Sequence, residues 1–355
     1  MVEKKLDNYL IYGAYGYTGR LIAELAVEKG HRPLLSGRDP EKLKEFADQI
    51  NLPHVAMDLG ESEKLLNTLQ KVDLVLHCAG PFSATAKIMM EACIATGTHY
   101  LDITGEIEVF ELGASLAEKA SNAGIVLMPG VGFDVVPSDC LAAYLKSKMP
   151  DATHLELAFR GDGSTSRGTA LTMAEGLHKG GAIRKEGSII KVPHAFKTRE
   201  IDVGGKSLLF VSIPWGDVST AYYSTDIPNI LVYTGAHPSL VSKMKTLRNL
   251  TWLLKMGFVQ KFIKGRIMKN VTGPSEQTRE ETKSFLWGEV RNEQDGKTFS
   301  AELITSEGYK LTSITSVMAV ERVLTSPIYP GFKTPSMAFG QDFILEVEGT
   351  ERKDL

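Results

Sequence analysis

Apolar residues in the first 130 positions arrive in short runs at 9–13, 32–36, 54–57, 73–79, 98–103 and 125–128. Runs of this length that do not alternate with polar residues read as strands buried on both faces of a parallel sheet. Between them, apolar residues recur at helical spacing over about 17–29, 40–49, 61–70, 84–96 and 106–123. An amphipathic stripe of this kind covers a sheet face. Strand and helix alternating in this rhythm predict an α/β fold, a Rossmann doubly wound parallel sheet. After a further helix over about 137–148 the pattern changes. Strand-like stretches at 153–160, 207–213, 283–293 and 297–305 are separated by polar, glycine-rich loops and helical pieces. This predicts a second mixed α/β domain with an antiparallel sheet, serving substrate or oligomerisation. The boundary is placed at Met149-Pro150, giving domains 1–149 and 150–327. A Gly- and Pro-rich C-terminal segment, 328–355, is expected to return to the first domain.

In an open α/β sheet, ligands bind beyond the carboxyl ends of the strands, so the segments just after each strand carry the functional information. The first is Gly13-Ala-Tyr-Gly-Tyr-Thr-Gly19, between a strand and a helix. Gly13 permits a tight turn, Gly16 lets a pyrophosphate approach the backbone, and Gly19 lets the helix pack close to the sheet. The free N–H groups of the helix N-terminus then face the phosphates. The alternative is a glycine turn that merely packs. The second strand ends at Ser36-Gly37-Arg38, where an NAD-selecting chain usually carries an acidic residue. A guanidinium here can pair bidentately with the 2′-phosphate of NADP, and Ser36 can add a hydroxyl. A solvated arginine is the alternative. Cys78-Ala-Gly-Pro-Phe82 follows the fourth strand, on the nicotinamide side, where carbonyls of a rigid turn can hold the carboxamide. The expected cofactor set is Gly13, Tyr15, Gly16, Tyr17, Thr18, Gly19, Ser36, Gly37, Arg38, Asp58, Cys78, Ala79, Gly80 and Pro81.

The chain has 355 residues, 43% of them hydrophobic, enough for two domains with substantial cores. A net charge of −3 offers no global field for nucleic acid. Three cysteines without CxxC spacing, and no signal peptide, point to a reducing cytoplasm. The histidines form no HxH or HExxH pattern, so no metal site is expected. From Pro238 to Asn270 no acidic residue occurs, while lysines and arginines punctuate Leu, Trp, Met and Phe. This basic amphipathic segment suits either peripheral contact with an anionic membrane, an acyl-groove cover, or a core-facing helix with a solvated face.

Several motifs together resemble the saccharopine dehydrogenase-like reductases. They are residues 13–19, Cys78–Phe82, Tyr100-Leu-Asp-Ile-Thr-Gly-Glu106 and Gly132-Phe-Asp-Val-Val-Pro-Ser-Asp139. The likeness extends to Ser166–Ala170, Ile213–Asp217 and Gly331–Ser336, and leans towards the branch called trans-acting enoyl reductases. The resemblance implies an NADP-dependent oxidoreductase reducing a C=C bond of a lipid-like substrate. An imine or amino-acid reductase, and a non-catalytic dinucleotide-binding scaffold, stay open as alternatives. Glu106 and Asp134 each follow a strand end, and burial would raise either carboxyl into the range of a proton donor. The alternatives are that Glu106 stabilises the first turn of the next helix and that Asp134 bonds backbone N–H groups in its loop. Ser166, Arg167 and Thr169 open a helix and can hold an anionic substrate group, or simply cap it. Tyr144 and Lys148 match a YxxxK spacing, but their helix follows the sixth strand, where a catalytic pair is not expected. Partners are then a small or lipid-like substrate, no nucleic acid, and room for a homodimer.

Overall fold

The computed structural model describes residues 6–161, 165–176, 178–247 and 256–355. It divides into two compact units, Met1–Val136 with Tyr309–Phe339, and Pro137–Gly308 with Gly340–Leu355. The first unit contains strands β1 (Tyr9–Tyr12), β2 (Leu34–Gly37), β3 (His54–Ala56), β4 (Leu74–His77), β5 (His99–Asp102) and β6 (Val126–Met128). Between them run α1 (Tyr17–Glu28), α2 (Pro40–Gln49), α3 (Ser62–Leu69), α4 (Phe82–Thr96), α5 (Ile107–Ser115) and α6 (Ala117–Asn122). The helix expected over 106–123 is thus two helices, joined at Leu116. Gly113, in the last turns of the first, packs against Leu127 and Phe332 with no room for a Cβ.

The chain crosses into the second unit at α7 (Val136–Lys148). Strand β7 (His154–Gly161), helix α8 (Arg167–Gly176) and a ribbon of β8 (Gly181–Lys185) and β9 (Ser188–Val192) follow. Next come β10 (Thr198–Val203), β11 (Lys206–Ser212), α9 (Asp217–Thr225), β12 (Asn229–Gly235), α10 (Pro238–Leu247), α11 (Gly257–Asn270) and α12 (Glu276–Glu281). The long pair β13 (Lys283–Arg291) and β14 (Thr298–Ser306) completes this stretch. Helix α13 (Gly308–Thr325), strand β15 (Gly331–Phe332) and helix α14 (Pro335–Phe339) return to the first unit, and β16 (Glu351–Asp354) ends in the second.

Seven strands form the first sheet, in the order β15-β6-β5-β4-β1-β2-β3, all parallel. The order reverses direction between β1 and β4, which makes their carboxyl ends the switch point where a ligand enters. Tyr9, Leu10 and Ile11 are fully buried, as are Leu74, Val75 and Leu76, because helices cover both faces. Ile22, Ala23 and Ala26 of α1 join this core, and so do Val317, Ala319, Val320 and Val323 of α13. The sequence reading set the boundary at Met149-Pro150 and the return at 328. The compact units divide at 136/137, and the returning segment spans Tyr309–Phe339. The apolar face of α13 is the physical reason for the earlier return, since it belongs to the core around β1. Glu321 on the same helix pairs with Lys29 at 3.5 Å and with His31 at 3.3 Å.

The second unit holds a nine-stranded mixed sheet along β10-β11-β12-β7-β13-β14-β16, with β8 joined to β12 and β9 to β8. Only β12 and β7 pair in parallel among these strands. Arg199 lies over the Trp287 ring and pairs with Glu156 and with Glu289. Among the described residues, no helix is long and apolar enough to cross a membrane.

Candidate functional site

The loop after β1 is built by hydrogen bonds to the neighbouring strand. Gly13 and Ala14 donate their N–H groups to the Ser36 carbonyl, at 2.8 and 3.1 Å. Gly13 has φ +86°, and a Cβ there would meet the Ala79 nitrogen at 2.8 Å, so only glycine lets this loop approach the one after β4. A Cβ on Gly19 would run into the Gly13 carbonyl oxygen, which is what allows α1 to start so close to the sheet. Gly16 is the N-cap of α1 and supplies no side-chain cap, and the first turn holds no acidic residue. The α1 N-terminus is therefore open to an anion. The close backbone packing at Gly13 and Gly19, with the uncapped start of α1 at Gly16, fits a phosphate cradle.

Tyr15, Gly37 and Arg38 meet at the end of β2. The Tyr15 ring lies against Gly37, where a Cβ would collide with it at 2.5 Å, and the Tyr15 hydroxyl accepts from the Asp39 N–H at 3.2 Å. Arg38 is exposed and forms no ion pair among the described residues. An exposed guanidinium at this position suits 2′-phosphate recognition. Ser36 does not share that task as expected. It is fully buried, and its hydroxyl donates to the Val55 carbonyl of β3 at 2.8 Å. Asp58 is exposed and closes its own turn, accepting from the Gly60 N–H at 2.9 Å. Tyr17 packs edge-on against Tyr309, with ring centroids 5.1 Å apart, and Thr18 lies in the first turn of α1.

The Cys78–Phe82 turn is held from two sides. The Thr85 hydroxyl donates to the Ala79 carbonyl at 2.8 Å and lies 2.9 Å from His77 Nε2. With the hydroxyl hydrogen so engaged, His77 must carry its proton on Nε2, leaving Nδ1 as an unpartnered buried acceptor. Burial lowers the His77 pKa to about 3, so the ring stays neutral. It stacks among Tyr12, Phe82 and Tyr100. Nothing in the sequence reading singled out His77 or Thr85; a histidine ending an otherwise apolar strand was the available signal. Gly80-Pro81 is a cis peptide. Burial pushes the Cys78 thiol up, which removes it as a nucleophile.

Glu106 has a definite structural task. Its carboxylate accepts from the N–H groups of Phe82 at 2.9 Å and Ser83 at 2.8 Å, and so caps α4. That engagement counts against the expected proton-donor role. The cap reaches back to the helix before it, whereas local reasoning offered only the helix after it. Asp102, at the end of β5, accepts from Tyr100 at 2.6 Å, Thr104 at 2.9 Å and Gly130 at 2.8 Å. Desolvation outweighs these bonds and lifts its pKa to about 7. Asp134 sits against Gly105, where a Cβ would come within 2.6 Å of its Oδ2. Desolvation raises its pKa to about 7 as well. Its loop is tied to α13: the Phe133 N–H donates to Thr312 Oγ1 at 3.0 Å, and the Thr315 hydroxyl donates to the Val131 carbonyl at 2.8 Å. Cys78–Phe82, Glu106 and Asp134 therefore all belong to loops at the carboxyl ends of adjacent strands β4, β5 and β6.

The expected anion site in the second unit is otherwise engaged. Ser166 Oγ accepts from the Thr169 N–H at 3.2 Å and lies 3.1 Å from its hydroxyl, a plain helix cap. Arg167 donates through Nε to the Val271 carbonyl at 3.2 Å. These contacts hold the start of α8 in place. Tyr144 donates to Asp354 at 2.7 Å, so the YxxxK match is structural. Of the basic segment, α10 and α11 are described, while Arg248, Leu250, Trp252, Leu253, Leu254 and Lys255 lie outside the described residues.

Residues 9–128 match the family model described as the saccharopine dehydrogenase NADP binding domain. Over 167 residues the chain is 29% identical to the mouse saccharopine dehydrogenase-like oxidoreductase, covering 41% of this chain and 39% of that protein. Over 145 residues it is 32% identical to the trans-acting enoyl reductase of Mycobacterium leprae, covering 39% of this chain and 35% of the other. The chain thus spans about two fifths or less of the length of these curated relatives. Apo saccharopine dehydrogenase (L-Glu forming) from Saccharomyces cerevisiae superposes with a TM-score of 0.67 at 13% identity, covering 98% of this chain and 100% of that one. That likeness shows a shared fold. Residues 9–128 accordingly match an NADP-binding domain of the saccharopine dehydrogenase type, and about two fifths of the chain is similar to the saccharopine dehydrogenase-like oxidoreductases.

Proposed function

We propose that this chain is an NADPH-dependent reductase of an activated C=C bond in a lipid-like substrate. The observation that carries the reading is the β1/β4 switch point, where the open glycine cradle of α1 meets the braced Ala79–Pro81 turn. NADPH supplies a hydride when bound. In this reading the first turn of α1 and Gly16 receive the pyrophosphate, and Arg38 with Tyr15 and Gly37 receives the 2′-phosphate end. The carbonyls of the 79–81 turn orient the carboxamide, and Glu106 and Thr85 keep that turn in place. Asp134, its pKa raised by burial to about 7, keeps a protonated fraction of about one half at neutrality and more below it. The Asp134 carboxyl would serve as the proton donor to the carbon of the double bond that does not receive the hydride. The preference for C=C over C=N follows the enoyl reductase relative, and the basic apolar segment favours a lipid-like substrate.

The test is turnover with NADPH deuterated at C4, using both epimers, on enoyl thioesters and on amino-acid imines. One deuterium on a reduced enoyl carbon from one epimer is the expected result. Turnover of imines alone would transfer the assignment to the imine-reductase class. Absence of oxidation with either substrate class would leave a cofactor-binding scaffold.

A further inference from the structure

Residues 238–270 carry eight lysines or arginines and no carboxylate. In the described part, α11 has no buried residue at all. It rests on α8, where Gln260 Nε2 donates to the Ala174 carbonyl at 3.4 Å. At about 100° per residue, the side away from Gln260 collects Phe258, Phe262, Gly265 and Lys269, flanked by Lys261 and Arg266. Phe258 and Phe262 are each 68% exposed, and Met268 is 51% exposed. Lys261, Arg266 and Lys269 form no ion pair among the described residues.

Two aromatic rings standing in water on one stripe, ringed by unpaired cations, mark an interaction surface. A second copy is a poor occupant. A two-fold contact would set these cations against themselves, and the segment offers no acid to meet them. Cations alone would serve a polyanion, but the phenylalanine stripe with Met268 beside it needs an apolar phase. We propose that α11 docks on an anionic lipid surface, with Phe258 and Phe262 entering the acyl boundary while Lys261, Arg266 and Lys269 meet lipid phosphates. This surface is independent of the reductase reading.

Vesicle sedimentation of the full chain tests it, using phosphatidylcholine with about one third phosphatidylglycerol, against phosphatidylcholine alone. The chain should pellet with the anionic vesicles at about 0.05 M salt and be released at least tenfold by about 0.5 M. The triple variant Lys261→Gln, Arg266→Gln, Lys269→Gln and the double variant Phe258→Ser, Phe262→Ser should each lose binding by tenfold or more. Both should keep the wild-type melting curve, since the five substituted side chains are exposed. The proposal fails if the wild type stays in the supernatant at low salt. It fails equally if the phenylalanine variant pellets like the wild type. Velocity sedimentation showing a dimer abolished by that variant, without vesicle binding, would make the stripe a self-association face. Equal affinity for a DNA duplex and for vesicles would make it a polyanion site.

Discussion

At the scale of single residues, the proposed function makes Arg38 answerable for cofactor choice and Asp134 for the proton. Arg38 follows β2, is exposed, and forms no ion pair among the described residues. Losing a charge-assisted bidentate contact costs about 1.5–3 kcal/mol. Arg38→Ala should therefore weaken NADPH roughly ten- to a hundredfold and leave NADH unchanged, as calorimetry with the two cofactors would read. Under the proposed function Asp134 would set the pH dependence. Its folded pKa of about 7 lies above the ordinary carboxyl value, so the proton is held below pH 7 and lost above it. Reductive kcat/KM should fall as pH rises through about 7, and Asp134→Asn should be slower by about 10²–10⁴ with that limb gone. A limb that survives in the variant would belong to another group. The sequence made Arg38 and Asp134 visible because each follows a strand end in a recognisable motif. Ser36 misled for a reason of register: it pairs with Val55, and its hydroxyl turns to that strand's carbonyl. His77 and Thr85 went unread because their partnership is formed only when α4 folds back on β4.

Among the elements, α1 and α4 are two helix N-termini handled in opposite ways. The α1 start is left open, while the α4 start is closed by Glu106. Gly16→Val should preserve the fold, since Gly16 has an ordinary φ of −68° and the Gly13 carbonyl, 3.2 Å from the new Cβ, need give by only a few tenths of an ångström. NADPH binding should nonetheless disappear, because the valine side chain fills the phosphate approach; normal quenching of NADPH fluorescence in the variant would refute the cradle. Glu106→Gln should cost about 1–3 kcal/mol of stability through the weakened cap, with kcat within a few-fold of wild type. Thermal melts and saturating kinetics separate that cap from a proton donor, which would lose most of kcat instead. The first-unit strands were legible because each is a continuous apolar run between helical stripes. In the second unit, β8, β9 and β10 were not, because they mix charged and apolar residues on a partly exposed ribbon. The apolar core of β12 was missed for a different reason: a short apolar run reads equally as strand or buried helix until its partner β7 is known.

At the scale of the whole molecule, the nucleotide domain is closed by a segment nearly two hundred residues away in sequence. Thr312 and Thr315 of α13 hold the Phe133 loop at separations of 179 and 184 residues. Local pattern reading sees α13 only as one more helix, which is why the return was placed too late. A fragment ending at residue 136 should accordingly expose the core around β1, bind a hydrophobic dye and fail to bind NADPH. Joining residues 309–339 to it through a flexible linker should restore binding. Cooperative unfolding and NADPH binding by the shorter fragment alone would show that α13 is dispensable.

The most direct test of the central claim is a crystal structure of the full chain with NADPH. The account predicts pyrophosphate over Gly13–Gly19, the 2′-phosphate on Arg38, and nicotinamide against the Ala79–Pro81 turn, with the Asp134 carboxyl facing the space above C4. Cofactor density that leaves the 13–19 loop empty, or a nicotinamide whose C4 faces away from Asp134, would contradict it.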